Sequence, residues 1–326
     1  GTEHGPGCSG LLGFGTEHGP YFVDENGSIS MNPFSWNQVA NMLYVEQPAG
    51  VGFSYSNEVA DYTTGDKQAA VDNFVLVQKF FEKFPERKSN PFYIASESYG
   101  GHYMPHLALE IMHRNSAKAI NFKGFLVGNP YVDPFTNDMT QFELYYSHGL
   151  LPKPLFDQWK TKCTDRNTYK SKSCRQYEGI LYRVFGDGIN PYAVDYPVCT
   201  SSHKHMRQSP TLTTKKTLSP LERHLSSSQG MRLLQKIVST SVATDAEPME
   251  NEPPPFSPPE DVYRPCAETF FTIYLNRPDV RNALHVELPP DEKWDICAQQ
   301  LDYSEDDIGA SQMNHYMEII KILQTN

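Results

Sequence analysis

The tightest constraint on the fold of this chain sits near its middle. Pro91 to Ala95 is a short apolar run, and Ser96-Glu97-Ser98-Tyr99-Gly100 follows it with no spacer before a helix-like stretch that reaches about Arg114. A strand that feeds straight into a helix must reverse within a residue or so, and the residue at the apex is held in a strained conformation with its side chain clear of the backbone. The turn also needs small residues two positions to either side, a condition that Ser96 and Gly100 meet, although the usual first glycine is replaced by serine. The segment reads as a nucleophile elbow with Ser98 at its apex.

The flanking sequence repeats the alternation of strand and helix. Met42 to Glu46 predicts a short buried strand. Asp66 to Lys83 predicts an amphipathic helix with Ala70, Phe74, Val77 and Phe81 on one face and Pro85 as its stop, and Phe122 to Val127 predicts the strand after the elbow helix. Strands and helices in this order call for an α/β fold with a mostly parallel central sheet and helices on both faces. Tyr21-Phe22-Val23 and Ile29 predict a hairpin closed by a two-residue turn at Asn26-Gly27, since that pair tolerates left-handed backbone; Asn26-Gly27-Ser28 is also formally a glycosylation sequon. The hexapeptide GTEHGP occurs at Gly1 to Pro6 and again at Gly15 to Pro20, a single short duplication that does not define a repeat fold.

From about residue 133 the rhythm breaks. The domain reading is therefore a first core part at 1–132, an inserted cap at 133–266, and a second, incomplete core part at 267–326. Within the cap, Ser201 to Glu260 is biased to Ser, Thr and Pro and is expected to be disordered, with a short helix at Arg232 to Ser241.

Composition narrows the function. The net charge of -11 leaves no basic stripe to neutralise phosphates, which argues against nucleic acid as a partner. No apolar run approaches the roughly 18 to 20 residues of a bilayer span, so no membrane partner is expected. The six cysteines have no Cys-x-x-Cys spacing, so no metal or other cofactor is expected, and an oxidising compartment is the better reading of an even cysteine count.

Several blocks together carry a resemblance. ASESYGGHYMP (Ala95 to Pro105), HGPGCSG (His4 to Gly10), SWNQVANMLYVEQPAGVGFSYS (Ser35 to Ser56) and GFLVGNPYVDP (Gly124 to Pro134) resemble motifs of the serine carboxypeptidase family, in that family's order. The likeness covers residues 4 to about 200 and 262 to about 300. It implies an α/β-hydrolase fold, an inserted cap over the active site, and a serine-type carboxypeptidase acting on peptides or proteins with a free C-terminus.

The resemblance also implies roles for residues. Ser98 would be the nucleophile, with the backbone N–H groups of Tyr99 and Gly5 as oxyanion donors. Glu97 and Glu17 match positions that grip the substrate's terminal carboxylate; carboxyl groups so crowded cannot all ionise, which implies a preference for acidic pH. The family has Asn and Gly where this chain has Glu3 and His4. Trp36, Phe53 and Tyr55 match positions lining or supporting the cleft, or are core aromatics, and His102 reads as structural. The implied disulfides are Cys8 with Cys297, Cys163 with Cys174, and Cys199 with Cys266.

Two family segments have no counterpart here. The Gly-Asp and Gly-His-Met loops that carry the catalytic Asp and His are missing, and Gly186-Asp187-Gly188, His285 and His315 lack their context. The strand that leads into HGPGCSG, central in such a sheet, is missing as well, so the chain is expected to be truncated at both ends, unstable and nearly inactive alone. A vacuolar, lysosomal or secreted location follows from the resemblance and the cysteines. Acyl transfer by the same serine, and a catalytically silent binding protein of the same fold, stay open as alternatives, as does the oligomeric state, a homodimer included.

Overall fold

The computed structural model describes residues 5–115, 119–166, 169, 171–185, 188–190, 192–199, 264–287, 292–298 and 300–325. Two compact units divide the chain: Gly1–Asn137 with Cys266–Asn326, and Asp138–Pro265.

In the first unit, strands β1 (Tyr21–Val23) and β2 (Ile29–Met31) form an antiparallel hairpin behind helix α1 (Leu11–Thr16). Its connection is longer than the two-residue turn expected from Asn26-Gly27. Val23 pairs with Ile29, so Asp24 to Ser28 all lie in the loop. The reason is the Asp24 side chain, whose Oδ1 accepts from the N–H groups of Asn26 and Ser28 at 2.9 Å each, while Gly27 takes the left-handed φ of 74°.

The amphipathic helix α2 spans Asp66–Lys83 as its periodicity predicts, and Ala70, Phe74, Val77 and Phe81 are among its buried residues. Strand β4 (Phe92–Glu97) runs parallel to β5 (Phe122–Gly128), and helix α3 (Gly100–Arg114) joins them. The core of this part packs α2 and α3 with β4 around Phe74, Tyr99, Tyr103 and Ile111, with Ile319 of the C-terminal helix α10 (Met313–Thr325) added. A smaller cluster joins Leu12 of α1 and Val23 of β1 to Phe271 of α7 (Ala267–Leu275), with Val280 of α8 (Pro278–Ala283) and Trp294.

The strand expected at Met42 to Glu46 does not form; these residues are irregular, and Leu43 is 43% exposed. The apolar residues that suggested a strand are insufficient without a ladder partner on each side that the pattern implies, because a strand exists only through its pairing. Short parallel pairing occurs instead between β3 (Thr63–Thr64) and β6 (Asp302–Tyr303), followed by helix α9 (Glu305–Ile308).

The second unit is helical where described, with α4 (Pro134–Ser147) entering it, then α5 (Lys153–Cys163) and α6 (Lys172–Phe185). Trp159 stacks on Phe142 with ring centroids 4.3 Å apart, and Cys163 is bonded to Cys174 beside them. Gly186-Asp187, the Ser201 to Glu260 stretch and its expected helix lie outside the described residues. Cys8 is bonded to Cys297, closing a loop of 289 residues, and Cys199 and Cys266 are also disulfide-bonded. Among the described residues no helix is long and apolar enough to cross a membrane.

Phe74 is 1% exposed at the centre of the α2–α3 packing, with the Arg114 guanidinium 4.6 Å from its ring centre. Phe74→Ala is expected to destabilise the fold by about 3–5 kcal/mol through lost burial and the cavity left behind. A urea titration followed by near-UV circular dichroism checks this, through the fall in the unfolding midpoint.

Candidate active site

Ser98 stands between the end of β4 and the start of α3, and its φ of 57° is left-handed. A serine is strained there, so its surroundings must impose the geometry. They do so through backbone pairing on both sides of the residue. The Ser98 N–H donates to Gly128 O at 3.0 Å, which continues the β4–β5 ladder past its end, and the Ser98 carbonyl accepts from the N–H groups of Tyr131 at 2.7 Å and Gly101 at 3.0 Å.

Small flanking residues are required, as the sequence suggested. A Cβ placed on Gly100 would lie 2.3 Å from the Ser96 hydroxyl oxygen and 2.4 Å from its Cβ, and one on Gly101 would lie 2.3 Å from the Tyr131 carbonyl oxygen. Ser96 therefore takes the place of the missing first glycine because Gly100 leaves it room.

Tyr99 caps α3 in helical geometry, and its backbone N–H has no acceptor among the described residues. That is the condition an oxyanion donor must meet, and it sits at a helix start where the dipole favours negative charge. Gly5 lies in the loop held by the Cys8–Cys297 bond, where Ser9 N–H donates to Ile296 O at 2.7 Å and Ala298 N–H to Gly7 O at 2.9 Å. Its N–H also has no acceptor among the described residues. Glu97 ends β4 beside Ser98 and is half-buried against Gly128, whereas Glu17 is exposed just after α1, its carbonyl accepting from Asn32 Nδ2 at 2.8 Å. Ser98, Tyr99 and Glu97 are thus brought together by one turn, while Gly5 and Glu17 belong to a separate loop and helix end.

The aromatic expectations divide. Phe53 is half-buried beside Trp294, but Trp36 and Tyr55 are 44% and 45% exposed and are not core residues. Trp36 stacks on His18 at 4.7 Å, Tyr44 stacks on the same ring at 5.5 Å, and burial lowers the pKa of His18 to about 4. Tyr55 donates its hydroxyl to Glu287 at 3.1 Å.

Two carboxyl groups, one half-buried and one buried behind the elbow, escaped sequence reasoning. Glu46 accepts from the Phe53 N–H at 2.8 Å, from Trp294 Nε1 at 2.7 Å and from the Ser9 hydroxyl, tying the disulfide-closed loop to the Gly52-Phe53 turn. Burial pushes its carboxyl above the ordinary range, against the pull of those bonds. Asp66 is 1% exposed and accepts from Tyr99 Oη at 3.0 Å, Tyr303 Oη at 2.6 Å and His102 Nδ1 at 2.9 Å. Burial alone would raise it, but the His102 and Tyr303 bonds, aided by the nearby imidazoles, hold it below the usual carboxylate range. His102, fully buried and stacked 4.4 Å from Tyr99, is structural as expected. The only signal for Asp66 was its place at a helix start, where an acid is common for dipole reasons alone; nothing in a linear pattern marked Glu46.

A serine on a left-handed strand–helix turn, followed by an N–H without an acceptor among the described residues, has the backbone geometry of the α/β-hydrolase elbow. The serine carboxypeptidase family model matches residues 3–325, further toward the C-terminus than the motifs alone reached, and the chain belongs to that family. Similar curated proteins include serine carboxypeptidase-like 29 of Arabidopsis thaliana, 32% identical over 97% of this chain and 59% of its own length. Serine carboxypeptidase-like 36 of the same plant is 43% identical over 61% of this chain and 41% of its own length. Among solved structures, Kex1(delta)p, a prohormone-processing carboxypeptidase from Saccharomyces cerevisiae, matches in fold with a TM-score of 0.59 and 18% identity, over 98% of this chain and 62% of that one. The chain thus spans roughly three-fifths of the length of relatives it matches along nearly all of its own.

Gly100→Ala is expected to destabilise the protein by about 1–3 kcal/mol, since the added methyl collides with Ser96. Ser96→Gly in the same chain should restore most of the loss, and paired thermal melts of the single and double variants check it. A second expectation concerns pH. Glu46 is raised on folding, so its stabilising contribution is full below the ordinary glutamate range and is lost as pH rises through the folded value. Asp66, lowered on folding, has the reverse dependence: its contribution is present above the ordinary aspartate range and is lost as pH falls through the folded value. Urea titrations over a pH series should therefore show Glu46→Gln gaining on the unmodified protein as pH rises.

Proposed function

We propose that the protein is a serine-type carboxypeptidase that removes C-terminal residues from peptides and proteins, with an acidic pH preference. The observation that carries this reading is the left-handed Ser98 at a strand–helix junction, with the Tyr99 N–H directly after it left without an acceptor among the described residues. In the proposed reaction Ser98 Oγ attacks the carbonyl of the last peptide bond. The oxyanion of the tetrahedral intermediate is received by the N–H groups of Tyr99 and Gly5, each typically worth about 3–4 kcal/mol of transition-state stabilisation. The C–N bond then breaks, the terminal amino acid leaves with a proton, and water releases the acyl group from Ser98. Ser98 Oγ has no imidazole within hydrogen-bond distance among the described residues, so the general base is left unassigned.

Selectivity for the terminal bond rests on Glu97 and Glu17, which would bind the substrate's free carboxylate. A carboxylate meets a carboxyl group favourably only when one of them is protonated, so binding weakens as pH rises. Such a pH preference suits a vacuole, a lysosome or an acidic secretion, and the disulfides suit an oxidising compartment.

The test compares the protein with Ser98→Ala. Fluorophosphonate labelling should map to Ser98, and whatever cleavage of a blocked dipeptide the protein shows should fall to the assay floor in Ser98→Ala. The C-terminally amidated dipeptide should be a poor substrate for the unmodified protein. Cleavage of free and amidated peptides at equal rates would refute carboxylate recognition. Transfer from a glucose ester to an alcohol, without dipeptide cleavage, would assign the same serine to acyl transfer instead.

A further inference from the structure

The buried carboxyl of Asp66 lies behind the elbow and contacts no reacting atom, yet it gathers side chains from three elements. Its Oδ1 accepts from Tyr99 and Tyr303, its Oδ2 from His102, and its own N–H donates to Asp307 Oδ2 at 3.0 Å. Asp66 opens α2, Tyr99 and His102 form the first turn of α3, Tyr303 is in β6, and Asp307 is in α9. A charge this buried is retained only when its bonds are satisfied, and the three bonds to the carboxyl come from Tyr99 and His102 at the start of α3 and from Tyr303 of β6.

We infer that Asp66 is a positioning residue for the nucleophile elbow, fixing through the Tyr99 phenol the peptide that follows Ser98. The inference rests on the hydrolase reading above and deepens it by naming what holds the oxyanion donor. Tyr99 is the link because its two ends have different tasks. Its backbone N–H is left for the substrate, while its side chain is 3% exposed, stacked on His102 and hydrogen-bonded to the carboxyl. With φ of -61° and ψ of -11° at Tyr99 and the left-handed residue directly before it, a small rotation of the tyrosine would swing its N–H away from the oxyanion. Tyr303 offers an internal control, since its hydroxyl reaches the same Oδ1 from a strand that carries no part of the elbow.

The experiment uses Tyr99→Phe and Tyr303→Phe, each of which deletes one hydroxyl and keeps the ring. Amide hydrogen exchange read by mass spectrometry should quicken about tenfold in the segment covering residues 97–102 for Tyr99→Phe and stay unchanged there for Tyr303→Phe. On a blocked dipeptide, Tyr99→Phe should lower kcat about tenfold with KM within about twofold, and Tyr303→Phe should leave both near their starting values. Unchanged exchange around the elbow in Tyr99→Phe overturns the inference whether or not Ser98 reacts. An unchanged kcat in a protein whose Ser98 does react overturns it as well. Failure of the unmodified protein to react at Ser98 counts against the hydrolase reading instead, and the exchange measurement still decides whether the Tyr99–Asp66 bond holds the elbow.

Discussion

The pairing of β4 with β5 is the interaction on which the site depends. The two strands run in parallel register to Glu97 opposite Gly128, and the ladder then takes one further bond, from the Ser98 N–H to Gly128 O. That bond, with the Tyr131 N–H closing on the Ser98 carbonyl, makes the left-handed turn the consequence of pairing the backbone groups on both sides of it. Strain at one residue is tolerated because two neighbouring segments would each lose a hydrogen bond if it relaxed.

Two carboxyl groups with opposite responses to protons hold the Gly5 loop and the elbow. Glu46, hydrogen-bonded but raised by burial, braces the loop that carries Gly5, while Asp66, surrounded by donors, is lowered and braces Tyr99. One acts on the Gly5 loop and the other on the elbow. The Cys8–Cys297 bond adds a covalent restraint to the Gly5 loop, and a loop that long corresponds to about 5 to 6 kcal/mol in the chain-entropy account.

How much was legible in advance depended on how local the cause was. Helix α2 follows from its own periodicity, and its observed span, Asp66–Lys83, is the one the pattern marks. The elbow follows from five adjacent residues whose sizes must fit within one turn. The hairpin was legible but its loop was not, because the Asp24 side chain bonds two backbone groups and spreads the turn over more residues. Met42 to Glu46 misled for a different reason: a run of apolar residues records a capacity to pair, and pairing is a property of two segments. The aromatic residues show the same limit, since Trp36 and Tyr55 have the composition of core residues but lie at the surface.

By itself the sequence determined the strand–helix turn at Ser98, its flanking small residues and the family, because these rest on short-range sterics and on residues next to one another in the chain. Tertiary structure alone decided what holds the turn in place. Asp66 meets Tyr99 across 33 residues and Tyr303 across 237, and Glu46 meets Trp294 across 248. A buried charge can be placed only once all its donors are known, and those donors come from parts of the chain that only folding brings together.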